Sequence, residues 1–305
     1  MKNSKIVIIA GPTASGKTSL AIKLANELRG EVINADSLQV YIENPILSAQ
    51  PSLHERKNIP HHLFGYIKGD QEYNIAKWIK DSVSVINNLY NLPILVGGTG
   101  FYLKHLIFGL SSIPDISPEV RSNARALFDN VGAEEFYKIL QGLDSEVAKN
   151  LSPNDGNRTI RAYEVLKETG RSISFWQDKI VKNFPIDAFR LIILRPNRDI
   201  LYHNCNQRFL DMLNIGAIDE AKNLIKQNYN LSTGVMKTHG VPELMRYLSG
   251  DWSLEQAIEK SQQVVRNYAK RQTTWFNHQF NNLELKTYFA ADAENELDNI
   301  LDFIV

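Results

Sequence analysis

The chain of 305 residues has a single cysteine, no net charge and no long hydrophobic run. Because Cys205 has no partner within the chain, no internal disulfide can form, which is typical of a reducing compartment, and we expect a cytoplasmic protein. No apolar segment approaches the roughly 20 residues of a membrane helix, so no membrane partner is expected. The 34 basic and 34 acidic residues balance, which excludes a bulk basic field. Any nucleic-acid binding must therefore depend on local clusters of charge.

A glycine-rich octet near the start of the chain lies between an apolar segment and a helical pattern. Residues 5–10 are apolar and β-branched, as in a buried parallel strand. Apolar residues then recur at helical spacing as far as Leu28, and Gly30 is expected to end that helix. The octet between them fits G-x-x-x-x-G-K-[ST], the pattern of a phosphate-binding loop. Its residues are Gly11, Pro12, Thr13, Ala14, Ser15, Gly16, Lys17 and Thr18.

Each part of the octet predicts one contact with a bound polyphosphate or nucleotide. The two glycines let backbone N–H groups point inward, where they and the helix N-terminus hold the anion. Lys17 supplies a positive charge to a terminal phosphate, and the hydroxyl of Thr18 is placed to ligate Mg²⁺. The alternative, a glycine-rich turn with a chance lysine, does not account for the strand before the octet and the helix after it.

Polar residues follow two further predicted strands. Ligands of open α/β sheets bind beyond the carboxyl ends of the strands, so Asp36 and Ser37, at the end of residues 31–37, are expected beside the octet. The carboxylate of Asp36 can hold a metal-bound water or accept a proton there, and capping a turn is its alternative role. Residues 93–100 form a third predicted strand that ends in glycines and Thr99, without the acid that ATPases of this class carry at this point. This argues against a motor or switch ATPase and leaves a small-molecule kinase or a transferase open.

Strand patterns stop near residue 115 and return only at Phe189. We therefore predict an α/β fold: a phosphate-loop core with a parallel sheet, made of residues 1–114 and 186–305, plus an all-helical insert at 115–185. The insert is rich in arginine. These side chains could form a surface that binds nucleic acid, or they could lie on solvated helix faces and make ion pairs, and the pattern leaves both roles open. These arginines are Arg121, Arg125, Arg158, Arg161 and Arg171.

A long helix is predicted near the C-terminus, because Ser253-Leu254-Glu255-Gln256 forms a capping box. One stripe of this helix carries Val265, Tyr268, Gln272 and Trp275, and basic residues lie toward its other side. A helix with aromatic and basic residues can pack on nucleic acid. We interpret it instead as a helix that covers the core, with lysines that extend along apolar surface to solvent.

Six segments of the chain are distinctive when taken together. They read Gly-Pro-Thr-Ala-Ser-Gly-Lys-Thr at 11–18, Asn-Ala-Asp-Ser-Leu-Gln-Val-Tyr at 34–41, Pro-His-His-Leu at 60–63, Pro-Ile-Leu-Val-Gly-Gly-Thr-Gly at 93–100, Asn-Asp-Gly-Asn-Arg-Thr-Ile-Arg-Ala at 154–162 and Tyr-Ala-Lys-Arg-Gln-Thr-Thr-Trp-Phe at 268–276. In this order and over nearly the whole chain, they resemble the bacterial tRNA dimethylallyltransferases, also called tRNA isopentenyltransferases. The first segment alone is generic, whereas the set is specific.

The resemblance implies an enzyme that transfers a dimethylallyl group from dimethylallyl diphosphate to the exocyclic amine of the adenosine just 3′ of the tRNA anticodon. The products would be N6-dimethylallyladenosine and diphosphate. It implies that the octet holds the prenyl diphosphate, with Mg²⁺ as cofactor, and that the insert grips the anticodon stem-loop. We expect a monomer.

The resemblance also implies roles for single residues. Asp36 matches the family's general base and Thr99 matches a residue that contacts this base, while Lys17 completes the expected catalytic set. The positions that match tRNA contacts are Asp36, Ser37, Leu38, Gln39, Thr99, Arg121, Asn157, Arg158, Thr159, Ile160 and Arg161.

The chain departs from the family pattern at residues 239–243, where His-Gly-Val-Pro-Glu replaces Ile-Gly-Tyr-Lys-Glu. Pro242 removes a backbone donor, which puts packing or tRNA contacts there in doubt. Two other functions remain: a small-molecule or nucleoside kinase that uses ATP, and a regulatory RNA-binding protein that has lost catalysis. Incubation with bulk tRNA and labelled dimethylallyl diphosphate, and then with ATP, distinguishes the three.

Overall fold

The computed structural model describes residues 5–280, 284–293 and 295–305. These residues form two compact units. The core unit contains those up to Phe108 and those from Phe184 onward, and the insert unit contains Gly109–Asn183. Within the described ranges, no helix combines the length and the hydrophobicity needed to cross a bilayer.

The secondary structure alternates between strands and helices in the first part of the chain and is mainly helical afterwards. The strands are β1 (Ile6–Ala10), β2 (Gly30–Asn34), β3 (His61–His62), β4 (Leu92–Gly97), β5 (Leu110–Ser111), β6 (Ile180–Val181), β7 (Phe189–Leu194) and β8 (Thr287–Ala290). The helices are α1 (Lys17–Leu28), α2 (Leu53–Arg56), α3 (Ile75–Asn88), α4 (Gly100–Phe108), α5 (Pro118–Leu143), α6 (Ser145–Ala148), α7 (Gly156–Thr169), α8 (Ile173–Gln177), α9 (Arg198–Asn214), α10 (Ala217–Lys226), α11 (Val241–Leu248), α12 (Leu254–Gln279) and α13 (Leu297–Ile304).

The core unit contains a parallel sheet with the strand order β3-β2-β4-β1-β7-β8. Every residue of β1 and β7 is buried, so these apolar strands are covered on both faces, as the sequence pattern predicts. Helices α1 and α13 pack on one face, where Leu24 and Ile300 join Val7 and Ile9 in one apolar cluster. Since β4 lies between β1 and β2, the loops that follow these three strands are neighbours at one edge of the sheet.

Helix α1 begins at Lys17 as predicted but does not end at Gly30. Arg29 takes the left-handed conformation that closes the helix, with φ 51°, and Gly30 is the first residue of β2. A Cβ on Gly30 would lie 2.5 Å from Cδ1 of Ile94 on the neighbouring strand. Gly30 is therefore needed for the close approach of β2 to β4, and not as the helix stop.

Helix α12 is confirmed as a helix that covers the core. Its capping box is complete, because Gln256 N donates to Ser253 Oγ and Ser253 N donates to Gln256 Oε1. It packs on α9 and α11. Pro242 lies in the first turn of α11, where a backbone N–H has no partner within the helix, so the proline removes no hydrogen bond. The doubt about packing at this position was wrong for that reason.

The insert unit is built mainly from α5 and α7. Helix α5 begins at the predicted cap, where Val120 N donates to Ser117 Oγ, and Gly132 interrupts it with φ 79°. Buried side chains from both helices form the centre of the unit, including Phe136 and Ile160. A short antiparallel pair, β5 with β6, joins the two ends of the unit. The sequence pattern does not predict this pair. Because of it, the unit is not entirely helical, and it begins at Gly109 rather than at residue 115.

Candidate active site

The octet forms the turn between β1 and α1. Gly11 passes close to β7, since a Cβ there would lie 2.9 Å from the carbonyl oxygen of Leu194. Ala14 and Gly16 take positive φ values of 62° and 87°. Left-handed residues of this kind turn successive backbone N–H groups toward one side, and these groups adjoin the N-terminus of α1. The strand, turn and helix that the sequence predicts are therefore present.

Two cations lie at the octet, and the sequence pattern identified only one of them as a site residue. Nζ of Lys17 donates to the carbonyl oxygen of Pro12 at 2.6 Å. Burial lowers the pKa of Lys17 to about 8; Asp36 opposes this change and Arg208 adds to it. The guanidinium of Arg208, on α9, donates to Oγ1 of Thr13, and burial lowers its pKa as well. Two like charges held together in this way are typical of a site for a polyanion.

A buried glutamine connects the octet to the loop after β4. Gln272, on α12, is 5% exposed; its Oε1 accepts from Thr13 N and its Nε2 donates to Gly98 O, both at 2.8 Å. A Cβ on Gly98 would lie 2.2 Å from Nε2 of Gln272, which explains the glycine at this position. Burial raises the pKa of Tyr268, on the same helix, and interactions with Gln272 and Thr99 oppose this change. Gln272 therefore fixes the two loops relative to each other.

Asp36 both caps a turn and faces a cavity. Its Oδ1 accepts from Leu38 N at 3.0 Å, which is the capping role that the sequence left as an alternative. Ser37 N donates to Oγ1 of Thr99 at 2.9 Å, so the loops after β2 and β4 are also joined. The carboxylate nevertheless lines the main cavity of the core unit. Capping uses one oxygen and orients the group, which does not prevent a chemical role.

The main cavity has a volume of about 800 Å³. It is lined by Thr13 to Ser19 of the octet and α1, by Asp36 and Arg208, and by the loop at residues 45–53. Glu220 holds that loop, because its carboxylate accepts from the N–H groups of Ile46 and Leu47, each at 2.8 Å. Gln39, a predicted tRNA contact, also holds it by donating to the carbonyls of Ser48 and Ala49. The amide of Gln39 is thus already engaged within the protein.

Comparison with known proteins gives the family of this chain. Models of the IPP transferase and isopentenyl transferase families match residues 39–279 and 4–60. This chain belongs to the IPP transferase family. The tRNA dimethylallyltransferase of Ehrlichia chaffeensis is 43% identical over 282 residues, which are 92% of each chain. That of Nitrobacter hamburgensis is 40% identical and covers 97% of this chain and 94% of its own.

Solved structures lead to the same family. The tRNA isopentenylpyrophosphate transferase of Bacillus halodurans has a TM-score of 0.69 and is 32% identical, over 99% of this chain and 96% of its own. A eukaryotic dimethylallyltransferase that acts on tRNA has a TM-score of 0.81 at 28% identity, over 98% of this chain and 76% of its own. The resemblance predicted from six segments is confirmed, and these relatives favour a transferase over a kinase.

The oxygen groups of this transferase-family site suit Mg²⁺. Thr18, in the first turn of α1, and Asp36 line the main cavity together, and Oγ of Ser15 is buried there without a hydrogen-bond partner. Among the residues that the structure describes, no group of three His, Cys, Asp or Glu side chains could hold a metal. Mg²⁺ is commonly bound by one or two protein oxygens together with substrate phosphates, so Thr18 and Asp36 fit it.

The remaining predicted tRNA contacts lie in the insert unit, on or near α5 and α7. The side chains of Thr159 and Ile160 are buried inside the unit, so a contact of these two residues with tRNA, which stays a prediction, would have to use their backbone groups. The side chains of Arg158 and Arg161 are 76% and 39% exposed and pair with acids of the same segment. Asn157 is exposed and Arg121 is partly buried. The ion-paired helix face that the pattern left open is thus present, and exposed pairs of this kind contribute little stability.

Proposed function

We propose that this protein transfers a dimethylallyl group from dimethylallyl diphosphate to the exocyclic amine of the adenosine 3′ of the anticodon in tRNA. The observation that carries the proposal is one cavity lined by a phosphate loop, two cations and a carboxylate. Lys17 and Arg208 provide charge for a diphosphate, and Asp36 provides a base for an amine. A kinase can use both sets of groups as well, so it is the relatives, tRNA dimethylallyltransferases, that favour transfer to an amine.

In the proposed reaction, N6 of the adenosine attacks C1 of the prenyl group. The N6–C1 bond forms, the C1–O bond breaks, and its electron pair leaves with the diphosphate. Lys17, Arg208 and the loop N–H groups stabilise the charge that develops on the departing oxygen. The Asp36 carboxylate takes the N6 proton as the new bond forms. Mg²⁺, held by Thr18 together with the diphosphate, would neutralise part of the same charge.

The adenosine must leave the stack of the anticodon loop to reach Asp36. Unpaired nucleotides beside an anticodon are easily extruded, and proteins recognise such bases on their edges. Thr99 acts as a positioning residue in this scheme, because its Oγ1 accepts from Ser37 N, next to Asp36.

We further propose a cytoplasmic monomer, in line with the single, buried Cys205. Sedimentation of the purified protein tests the oligomeric state.

The direct test is incubation with bulk tRNA and labelled dimethylallyl diphosphate, followed by nucleoside analysis. We expect label in N6-dimethylallyladenosine and no phosphate transfer when ATP replaces the prenyl donor. Phosphorylation of a small molecule with no label in tRNA would support the kinase alternative. RNA binding without either reaction would support the regulatory alternative.

The pKa of Lys17 makes diphosphate binding depend on pH. A pKa of about 8 means that Lys17 loses its proton above that value in the free protein, whereas a bound anion favours the protonated form. Affinity for inorganic diphosphate should therefore fall as pH rises through 8, by up to about tenfold at one pH unit above the pKa. Calorimetry across this range measures the effect.

Lys17→Arg is the matched control, since a guanidinium stays charged and any remaining pH dependence belongs to the ligand. Parallel falls in the affinity of both proteins would show that Lys17 does not titrate at the site.

The proposed tRNA surface of the insert is tested by salt dependence. An Arg158→Ala, Arg161→Ala variant should bind an anticodon stem-loop RNA more weakly, because each lost phosphate contact lowers the log–log salt slope by about 0.7–0.9. Binding measured at about 50 to 200 mM salt gives the slope. Affinity for diphosphate should not change. Arg125→Ala is the matched control, since Arg125 is a 60% exposed arginine of the same unit, paired with Asp129 and not a predicted contact.

If the double variant keeps the salt slope and the RNA affinity of the unchanged protein, Arg158 and Arg161 lie on a solvated surface that does not bind tRNA. Lowered melting temperature with an intact slope would likewise assign both residues to stability alone.

A further inference from the structure

One arginine of the insert unit is held by an aromatic ring and not by an acid. Arg125, Arg158 and Arg161 each pair with a carboxylate of the same segment. Arg171 instead lies over the ring of Phe175, with 4.4 Å from its guanidinium carbon to the ring centroid. Within the described ranges of the chain, Arg171 forms no ion pair. The ion-paired helix face therefore does not account for this arginine.

A lysine contacts the same ring from another position in the chain. Nζ of Lys179 lies 4.2 Å from the ring centroid of Phe175 and 5.1 Å from that of Trp176. The two aromatic rings meet edge to face, with 5.3 Å between centroids. Lys179 and Arg171 are both exposed, and in the part of the chain that the structure describes Lys179 has no acidic partner either. We call Arg171, Phe175, Trp176 and Lys179 the α8 surface, because both rings belong to α8.

The α8 surface is fixed to the end of α7 by Thr169. Nε1 of Trp176 donates to Oγ1 of Thr169 at 3.2 Å, and the backbone N–H of Arg171 donates to the same oxygen at 3.1 Å. Oγ1 of Thr169 donates in turn to the carbonyl of Val165, one turn earlier in α7. Helix α8 has only five residues, and an isolated helix of that length is not stable in water. These hydrogen bonds therefore hold the two rings, and through them the two cations, in place.

A cation held by an aromatic ring differs from a cation held by a carboxylate. The ring attracts and orients the cation through its quadrupole but has no net charge. The positive charge is therefore not neutralised, whereas an ion-paired arginine must first leave its carboxylate before it binds another anion. Because Arg171 and Lys179 contact one ring, they lie close enough together to bind neighbouring phosphates of a single nucleic-acid strand.

We propose that the α8 surface binds the phosphate backbone of tRNA, with Arg171 and Lys179 as the contacting cations and Phe175 and Trp176 as the residues that position them. The inference rests on the proposed function for its choice of tRNA as the partner. The chain has no net charge, so a polyanion of that size must be held by local clusters of basic residues, and the α8 surface is one.

The α8 surface is separate from the arginines at the start of α7. Helix α7 has 14 residues, which makes it about 20 Å long. Arg158 lies in its first turn, and Arg171 follows the residue that caps its other end, Gly170. The two basic positions therefore meet different phosphates of a bound RNA, and the variants that test them should have independent effects.

The test is the salt dependence of binding to an anticodon stem-loop RNA, measured at about 50 to 200 mM salt. An Arg171→Ala, Lys179→Ala variant should bind more weakly, with a log–log slope lowered by about 1.4–1.8 for two lost phosphate contacts. The matched control is Arg125→Ala, Lys138→Ala, which also removes one arginine and one lysine from the insert unit. Both control side chains are exposed and ion-paired, at 60% and 66% exposure, so the control should keep the slope.

A further variant tests the positioning role of the ring. Phe175→Leu keeps both cations and an apolar side chain but removes the quadrupole that orients them, so RNA affinity should fall about fivefold. In the background of Arg171→Ala, Lys179→Ala, the same change should have no further effect, because no cation is left to orient. An equal loss in both backgrounds would show that Phe175 does not act through the two cations.

The outcomes distinguish this inference from the proposed function, because RNA binding and prenyl transfer are measured separately. If the unchanged protein transfers the dimethylallyl group to tRNA but the double variant keeps the slope of the control, only the inference is overturned. If the unchanged protein transfers nothing to tRNA, the proposed function fails, and the slopes still decide whether the α8 surface binds RNA.

Discussion

Lys17→Ala is expected to lower prenyl transfer about 10²–10³-fold, because it removes the ammonium that meets the departing diphosphate. Nζ of Lys17 lies at the octet, hydrogen-bonded to the carbonyl of Pro12, and Arg208 contacts Thr13 of the same loop. Arg208 already contributes its own charge to the same diphosphate, so it does not replace the charge that is lost with Lys17. Single-turnover transfer from labelled dimethylallyl diphosphate to tRNA, at saturating donor, measures the chemical step apart from binding.

The control for this prediction is a matched variant of the second cation. Arg208→Lys keeps a charge at α9 but loses the planar fork that reaches Thr13, so it should retain more activity than Lys17→Ala. Both proteins should melt cooperatively near the temperature of the unchanged protein, since Asp36 keeps at least one cation in its electrostatic surroundings, Arg208 in Lys17→Ala and Lys17 in Arg208→Lys. A folded Lys17→Ala protein with an unaltered single-turnover rate would show that the octet does not bind the reacting diphosphate.

The phosphate loop and the sheet could be predicted because their signals are local. A β-branched run, a glycine-rich octet and a helical stripe follow one another in the first 28 residues, so each element specifies its neighbour. The position of Asp36 followed from a general rule, that ligands bind at the carboxyl ends of parallel strands. Its neighbour Ser37 is indeed tied to Thr99, at the end of β4.

The second cation and the buried amide could not be found in the same way. Arg208 reaches Thr13 across 195 residues of chain, and Gln272 reaches it across 259. Each is a single polar residue in a helical pattern, and only the packing of α9 and α12 brings them to the octet. Gln272 had one available signal, since it is a polar residue on the mainly apolar stripe of a helix that covers the core.

Motif matching does not distinguish surface residues from buried ones. Thr159 and Ile160 belong to a segment that matches the family's tRNA contacts, but the helical period turns them toward the interior of the insert unit. Arg158 and Arg161 remain exposed on α7. A linear segment does not separate the residues that support a surface from those that present it, whereas burial does.

Asp36→Asn should lower the chemical step roughly 10²–10⁴-fold and leave tRNA affinity within a few-fold, as expected for the loss of a general base. The substitution is well matched to the structure. Oδ1 of Asp36 accepts from Leu38 N, and the carbonyl oxygen of an asparagine can accept in the same way, so the turn after β2 is kept. What is lost is the ability to take a proton from N6 of the adenosine.

A third variant distinguishes the role of Asp36 as the base from the role of Thr99, which holds the loop that carries it. Thr99→Val removes the hydroxyl that accepts from Ser37 N but leaves the Asp36 carboxylate, so it should lower the rate less than Asp36→Asn. Single-turnover rates of the two variants at saturating donor and tRNA test this order. If Asp36→Asn instead weakens tRNA binding strongly and leaves the chemical step unchanged, Asp36 acts through the turn that it caps, and the proton must leave N6 by another route.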